Sequence, residues 1–81
     1  MNREEIAEIN PDLLVMDPEY LDEAIVGVVE RINFNAVCYD PAKIVELLMK
    51  HDGMDEDEAI EYMQFNMMGA WVGETTPVFL L

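Results

Sequence analysis

Acidic side chains outnumber basic ones eighteen to four, which leaves a formal net charge of -14 on 81 residues. Self-repulsion on that scale opposes compaction, so any fold of this chain must tolerate the charge or use it. High charge with few apolar residues would leave a chain disordered. Here the hydrophobic fraction is 52%, so a core forms and the carboxylates coat it. A chain of this length makes one domain, and burying roughly 60% of its unfolded surface leaves it marginally stable.

The local signals point to an α+β fold: a short β-hairpin, a two-helix hairpin and an extended C-terminal segment, with an all-α bundle as the alternative. Residues 1–19 read as an acidic N-terminal segment and residues 20–81 as the compact domain. In the first segment Ile6 and Ile9 fit a short helix that Pro11 would end. Leu13-Leu14-Val15-Met16 is an apolar run fit for an edge strand or a docking segment.

Residues 20–32 decide the fold class. Leu21, Ala24, Ile25, Val28, Val29 and Ile32 keep helical spacing, and Asp17-Pro18 would serve as its start. Against this, Ile25, Val26, Val28 and Val29 are β-branched and Gly27 interrupts the run, which lowers helix propensity. The favoured reading pairs 24–30 with 36–39 as a hairpin around a turn at Asn33-Phe34-Asn35.

Two helix starts follow. Asp40-Pro41 supplies a cap and a first helical position, and Gly53 ends that helix after Ile44, Leu47, Leu48 and His51. Asp55 with Glu58 resembles a capping box opening a second helix. Its stripe is Ala59, Ile60, Met63, Met67, Ala70 and Trp71. Tyr62, Phe65 and Met68 widen it, predicting burial on more than one side. Asn66 falls on that stripe, as a buried amide tying the helix to a neighbour. Gly69 and Gly73 bracket the end. Val78-Phe79-Leu80-Leu81 becomes an edge strand or a strap, and a homodimer contact if exposed.

The composition narrows the chemistry. There is no serine, one histidine (His51) and one cysteine (Cys38). That excludes a serine nucleophile, an intrachain disulfide and a histidine-rich metal site. Cys38 reads as a small buried apolar residue and His51 as a helix C-terminal cation. Asp52, Asp55 and Asp57 lie close enough for a calcium loop to be considered, but their spacing departs from that motif. The expectation is no catalytic residue, no metal and no cofactor. A pI near 4.1 argues against nucleic acid or an anionic membrane as direct partners and favours a basic protein. The N-terminus lacks an apolar signal core and no run of about 18 apolar residues occurs. A reducing cytoplasm fits best.

Asp52-Gly53-Met54, Glu58-Ala59, Glu61-Tyr62, Phe65-Asn66, Gly69-Ala70-Trp71-Val72-Gly73-Glu74 and Thr76-Pro77-Val78-Phe79 together resemble a group of small acidic proteins met in bacteriophage and bacterial genomes. Ala24-Ile25-Val26-Gly27, Tyr39-Asp40 and Lys43 are similar too. The resemblance spans roughly residues 20–81. It implies a phage or prophage setting, hence a bacterial host cytoplasm, and assigns no catalytic residue.

Asp52, Asp55, Glu56, Asp57, Glu58 and Glu61 place six carboxylates in ten residues with no base among them. A helix N-terminus stabilises two or three acids, and six exceed that need. Duplex DNA carries a charge per roughly 1.7 Å of axis, against about 1.5 Å rise per helical residue. The acids therefore suggest a surface that imitates phosphates, with Asp55, Glu56, Asp57, Glu58 and Glu61 as one patch and Asp22 and Glu23 as a second. The leading expectation is a non-enzymatic inhibitor or decoy. It would bind a basic, nucleic-acid-handling host protein, as in anti-phage defence. The alternative is a small self-associating structural or assembly protein.

Overall fold

The computed structural model describes residues 1–30, 34–69, 73 and 75–80. The chain is α+β. Helix α1 (Arg3–Ile9) is followed by a short 3-10 helix (Glu19–Ala24) and strands β1 (Ile25–Glu30) and β2 (Asn35–Tyr39). Helices α2 (Pro41–Asp52) and α3 (Glu56–Met63) come next, then a π-wound turn (Gln64–Met68) and strand β3 (Val78–Phe79). Among the described residues no helix is long and apolar enough to cross a membrane.

The hairpin reading holds. Leu21 and Ala24 are buried by the 3-10 helix, and the β-branched run from Ile25 leaves helical geometry for a strand. β1 pairs antiparallel with β2, from Ile25 opposite Tyr39 to Glu30 opposite Asn35, with a register shift between Ile25 and Gly27. That bulge accommodates Val26, which points to solvent. β3 joins the other side of β2 in parallel, Cys38 facing Val78 and Tyr39 facing Phe79. The order is β1-β2-β3. As the middle strand, β2 buries Ala36, Val37, Cys38 and Tyr39 in succession, the signature of a strand covered on both faces. Of the predicted C-terminal strand, Val78 and Phe79 are in the sheet and Leu80 continues its bonding, its N–H donating to the Tyr39 carbonyl at 2.9 Å. Ile32, Asn33, Ala70, Trp71, Val72, Glu74 and Leu81 lie outside the described residues.

Both helix starts use the predicted caps. The Asp40 carboxylate accepts the Ala42 N–H at 3.0 Å, and Asp55 accepts the Glu58 N–H at 2.8 Å. α2 stops at Gly53, whose φ of 67° is a left-handed conformation that glycine adopts without penalty. Gly73 has a φ of 129° and its carbonyl accepts the Thr76 N–H, so the chain turns there into β3. α2 packs on α3 and on the 3-10 helix. Ile44, Leu47 and Leu48 from α2 meet Ala59, Met63 and Met67 in one core.

The division at residue 19 is corrected. The acidic segment belongs to the same domain, because Ile6 and Leu13 lie in that core. α1 forms through a complete capping box, in which Asn2 and Glu5 each accept the other's backbone N–H, at 2.9 and 3.3 Å. The Leu13–Met16 run is a strap and not a strand: the Met16 N–H donates to the Tyr39 hydroxyl at 2.8 Å. Burial raises the Tyr39 phenol above its ordinary value, so it stays protonated and neutral in the core.

Arg3 ties the segment down. Its Nε and Nη2 donate to Asp22 Oδ2 and Oδ1, both at 3.0 Å, and its backbone N–H reaches Oδ2 at 2.9 Å. Nη1 contacts Asp17 at 3.2 Å and Nη2 also donates to the Met16 carbonyl at 3.0 Å. The Asp22 hydrogen bonds hold the guanidinium well above its usual basicity.

Candidate partner-binding surface

Asp22 is not available to a partner. It is only 7% exposed, and Arg3 occupies both carboxylate oxygens. A carboxylate with that degree of burial needs such a fork of donors. Glu23 is exposed on the same 3-10 helix, and among the described residues the two clefts beside Tyr62 are lined by none of that helix. The second acidic patch is therefore reduced to Glu23.

The first patch stays on the surface. Asp55, Glu56, Asp57, Glu58 and Glu61 are all exposed. Asp55 is spent on its cap. Asp52, next to this patch in sequence, accepts the Tyr20 hydroxyl at 2.7 Å. Burial first, and this bond second, push the Tyr20 phenol up to about 12. Glu56, Asp57, Glu58 and Glu61 have no cation within ion-pairing distance among the described residues. They form an exposed negative cluster around the first turns of α3, with Glu58 and Glu61 on one face.

That face continues into apolar groups. Glu58, Glu61, Tyr62 and Phe65 recur at i, i+3, i+4 and i+7, one side of a helix. Ala59, Met63 and Met67 face the core from the opposite side. This corrects the wide buried stripe: α2 covers one side of α3, so Tyr62, Phe65 and Met68 remain exposed, Phe65 at 76%. Asn66 is exposed as well, and its amide donates to the Tyr62 carbonyl of its own helix at 3.2 Å, not to a neighbour. The i, i+3, i+4, i+7 pattern was present in the sequence as a signal for this face.

Two clefts flank the ridge formed by Tyr62 and Asn66. One, of about 440 Å³, is lined by Met54, Glu58, Glu61, Tyr62, Phe65 and Asn66. The other, of about 280 Å³, runs between this ridge and the strap at Leu14–Asp17, with Met67, Thr76 and Pro77 completing it. The first combines carboxylates with aromatic walls, the second is mainly apolar.

Cys38 and His51 occupy different settings. Cys38 is buried in β2, whereas His51 is exposed on the last turn of α2 and stacks on Tyr20, ring centroids 4.2 Å apart. Among the described residues no three His, Cys, Asp or Glu side chains converge as metal ligands. No family model matches the chain, and neither a curated protein nor a solved structure matches it.

Proposed function

We propose that this protein is a non-enzymatic inhibitor or decoy that occupies a basic site on a nucleic-acid-handling host protein through the acids of α3. The observation that carries this reading is the set Glu56, Asp57, Glu58 and Glu61, exposed and without a cation partner among the described residues. Closely spaced like charges without a cation partner among the described residues oppose folding, and a basic partner relieves that cost while gaining long-range steering. The resemblance to small acidic phage proteins implies a phage or prophage setting and hence a bacterial host.

The test is capture from bacterial lysate by the wild-type chain and by a variant with Glu56, Asp57, Glu58 and Glu61 replaced by lysine. The expected result is one nucleic-acid-handling protein held by the wild type, released as salt rises, displaced by duplex DNA and absent from the variant. Capture that survives the charge reversal would show that these acids are not the contact.

Leu80, 51% exposed beside the edge strand β3, favours a second reading as a self-associating assembly protein. Sedimentation of the wild type against Leu80→Glu separates the two, since only an assembly protein would be an oligomer that the substitution dissolves.

A further inference from the structure

Among the described residues Phe65 is the large apolar side chain most open to solvent. An aromatic ring in water is unfavourable, and lone exposed apolar residues are common. Phe65 is not alone. It shares a cleft of about 440 Å³ with Tyr62, Met54, Glu58 and Glu61. It also sits in the π-wound turn Gln64–Met68, a winding that recurs at functional positions of helices.

The lining restricts what fits. A purely apolar occupant would strip water from Glu58 and Glu61 without pairing them, which is costly. An anion is repelled. A lysine ammonium satisfies a carboxylate as a point charge and leaves the rings little covered. An arginine guanidinium matches every wall. Its planar face stacks on an aromatic ring, its edge donates in parallel to carboxylates, and its methylene stem lies on apolar surface such as Met54.

We infer that the cleft bounded by Glu58, Glu61, Tyr62 and Phe65 is an arginine-reading pocket, which seats one arginine of a basic segment on the partner protein. The inference rests on the proposed function, because it names the group through which the partner's basic site is held. It adds selectivity that charge alone does not supply: a carboxylate cluster attracts lysine and arginine alike, whereas the rings distinguish them.

The test uses the full chain and two short basic peptides identical except that every arginine in one is lysine in the other. Binding is followed by amide chemical shifts. The arginine peptide should bind about 5-fold or more tightly, as a desolvated stacking contribution implies, with the largest shifts at Tyr62 and Phe65. Phe65→Ala should erase that preference while weak, salt-sensitive binding of both peptides persists. The side chain is open to solvent, so the variant keeps its fold, which unchanged shifts in β2 would verify. Glu58→Gln with Glu61→Gln should weaken both peptides. Equal affinity for the two peptides, or an arginine preference untouched by Phe65→Ala, overturns the pocket while leaving capture of a basic protein by Glu56 and Asp57 intact. A concentration-dependent dimer that Phe65→Ala dissolves also overturns it, by showing that a second copy fills the cleft. Loss of all basic-protein capture, with the peptides likewise unbound, removes the proposed function and the pocket together.

Discussion

The two acidic regions look alike as strings of residues and behave as opposites in the fold. Between Glu4 and Glu23 the chain has eight acids and no base, and between Asp52 and Glu61 six acids and no base. In the first region Arg3 reaches across 19 residues to bury Asp22 and hold Asp17, so part of the negative charge becomes internal structure. In the second, among the described residues only the first two acids are engaged, Asp52 by Tyr20 and Asp55 by its cap. The remaining four are exposed, Glu58 and Glu61 of them beside Tyr62 and Phe65. Density of charge is therefore no guide to role. What separates the regions is whether a donor is positioned to take the carboxylate.

The sharpest break of this comparison is Asp22→Ala. It removes the three hydrogen bonds that Arg3 donates to Asp22, leaving those to Asp17 and the Met16 carbonyl, and should cost about 2–3 kcal/mol, as for hydrogen bonds to a charged group. Urea denaturation reads it, and α1 should lose its amide protection first. A cost near zero would mean that the acidic segment is not pinned by this pair.

Tyr39→Phe is the next largest. It removes the acceptor for the Met16 N–H and should cost about 1–2 kcal/mol, with the strap at Leu13–Met16 losing hydrogen-exchange protection. Replacing Glu56, Asp57, Glu58 and Glu61 by glutamine should shift the urea midpoint less than Asp22→Ala alone, because no bond within the described fold is lost. Binding to a basic partner should nevertheless fall steeply. The two acidic regions would then separate cleanly, one in stability and the other in affinity.

The smallest effect concerns Asp52. Burial, and after it the bond that Tyr20 donates to Asp52, raise that phenol from its ordinary value near 10 to about 12. A raised tyrosine pKa favours the protonated form in the fold. Its contribution is complete below about pH 10 and is lost as the pH climbs towards 12. Tyr39 is shifted in the same direction and adds to the alkaline loss. Tyr20→Phe should therefore flatten, without abolishing, the fall in urea midpoint over that pH window. An unchanged slope would detach Asp52 from the pinned acids and return it to the free ones.

Legibility followed the range of each interaction. Asp40, Pro41, Gly53 and Asp55 act on groups within a few positions, so their roles were readable from neighbouring letters. The β-branched run at Ile25–Val29 outweighed its helical spacing for the same reason, since the preference is local to each residue. The capping box of Asn2 and Glu5 is equally local, an N-x-x-E pattern at the start of the short helix that Ile6 and Ile9 predict. Asp22 was not readable: its burial depends on Arg3, and nothing between them announces the pairing. Tyr62 and Phe65 were legible as one helical face but not as an exposed one. Which face is covered depended on α2 lying on one side of α3 alone.

The sequence by itself determined that a core forms, that carboxylates dominate its surface, that serine chemistry is excluded, and where the main helices begin. Each of these follows from composition or from contacts within one turn of backbone. Only the tertiary structure decided that the N-terminal acidic segment joins the core, that β3 adds in parallel beside β2, and that Glu58 and Glu61 share a face with two open aromatic rings. Those outcomes turn on partners far apart in the chain. Hydrophobic burial and charge pairing are set by proximity in space, which the spacing of residues along the chain does not encode.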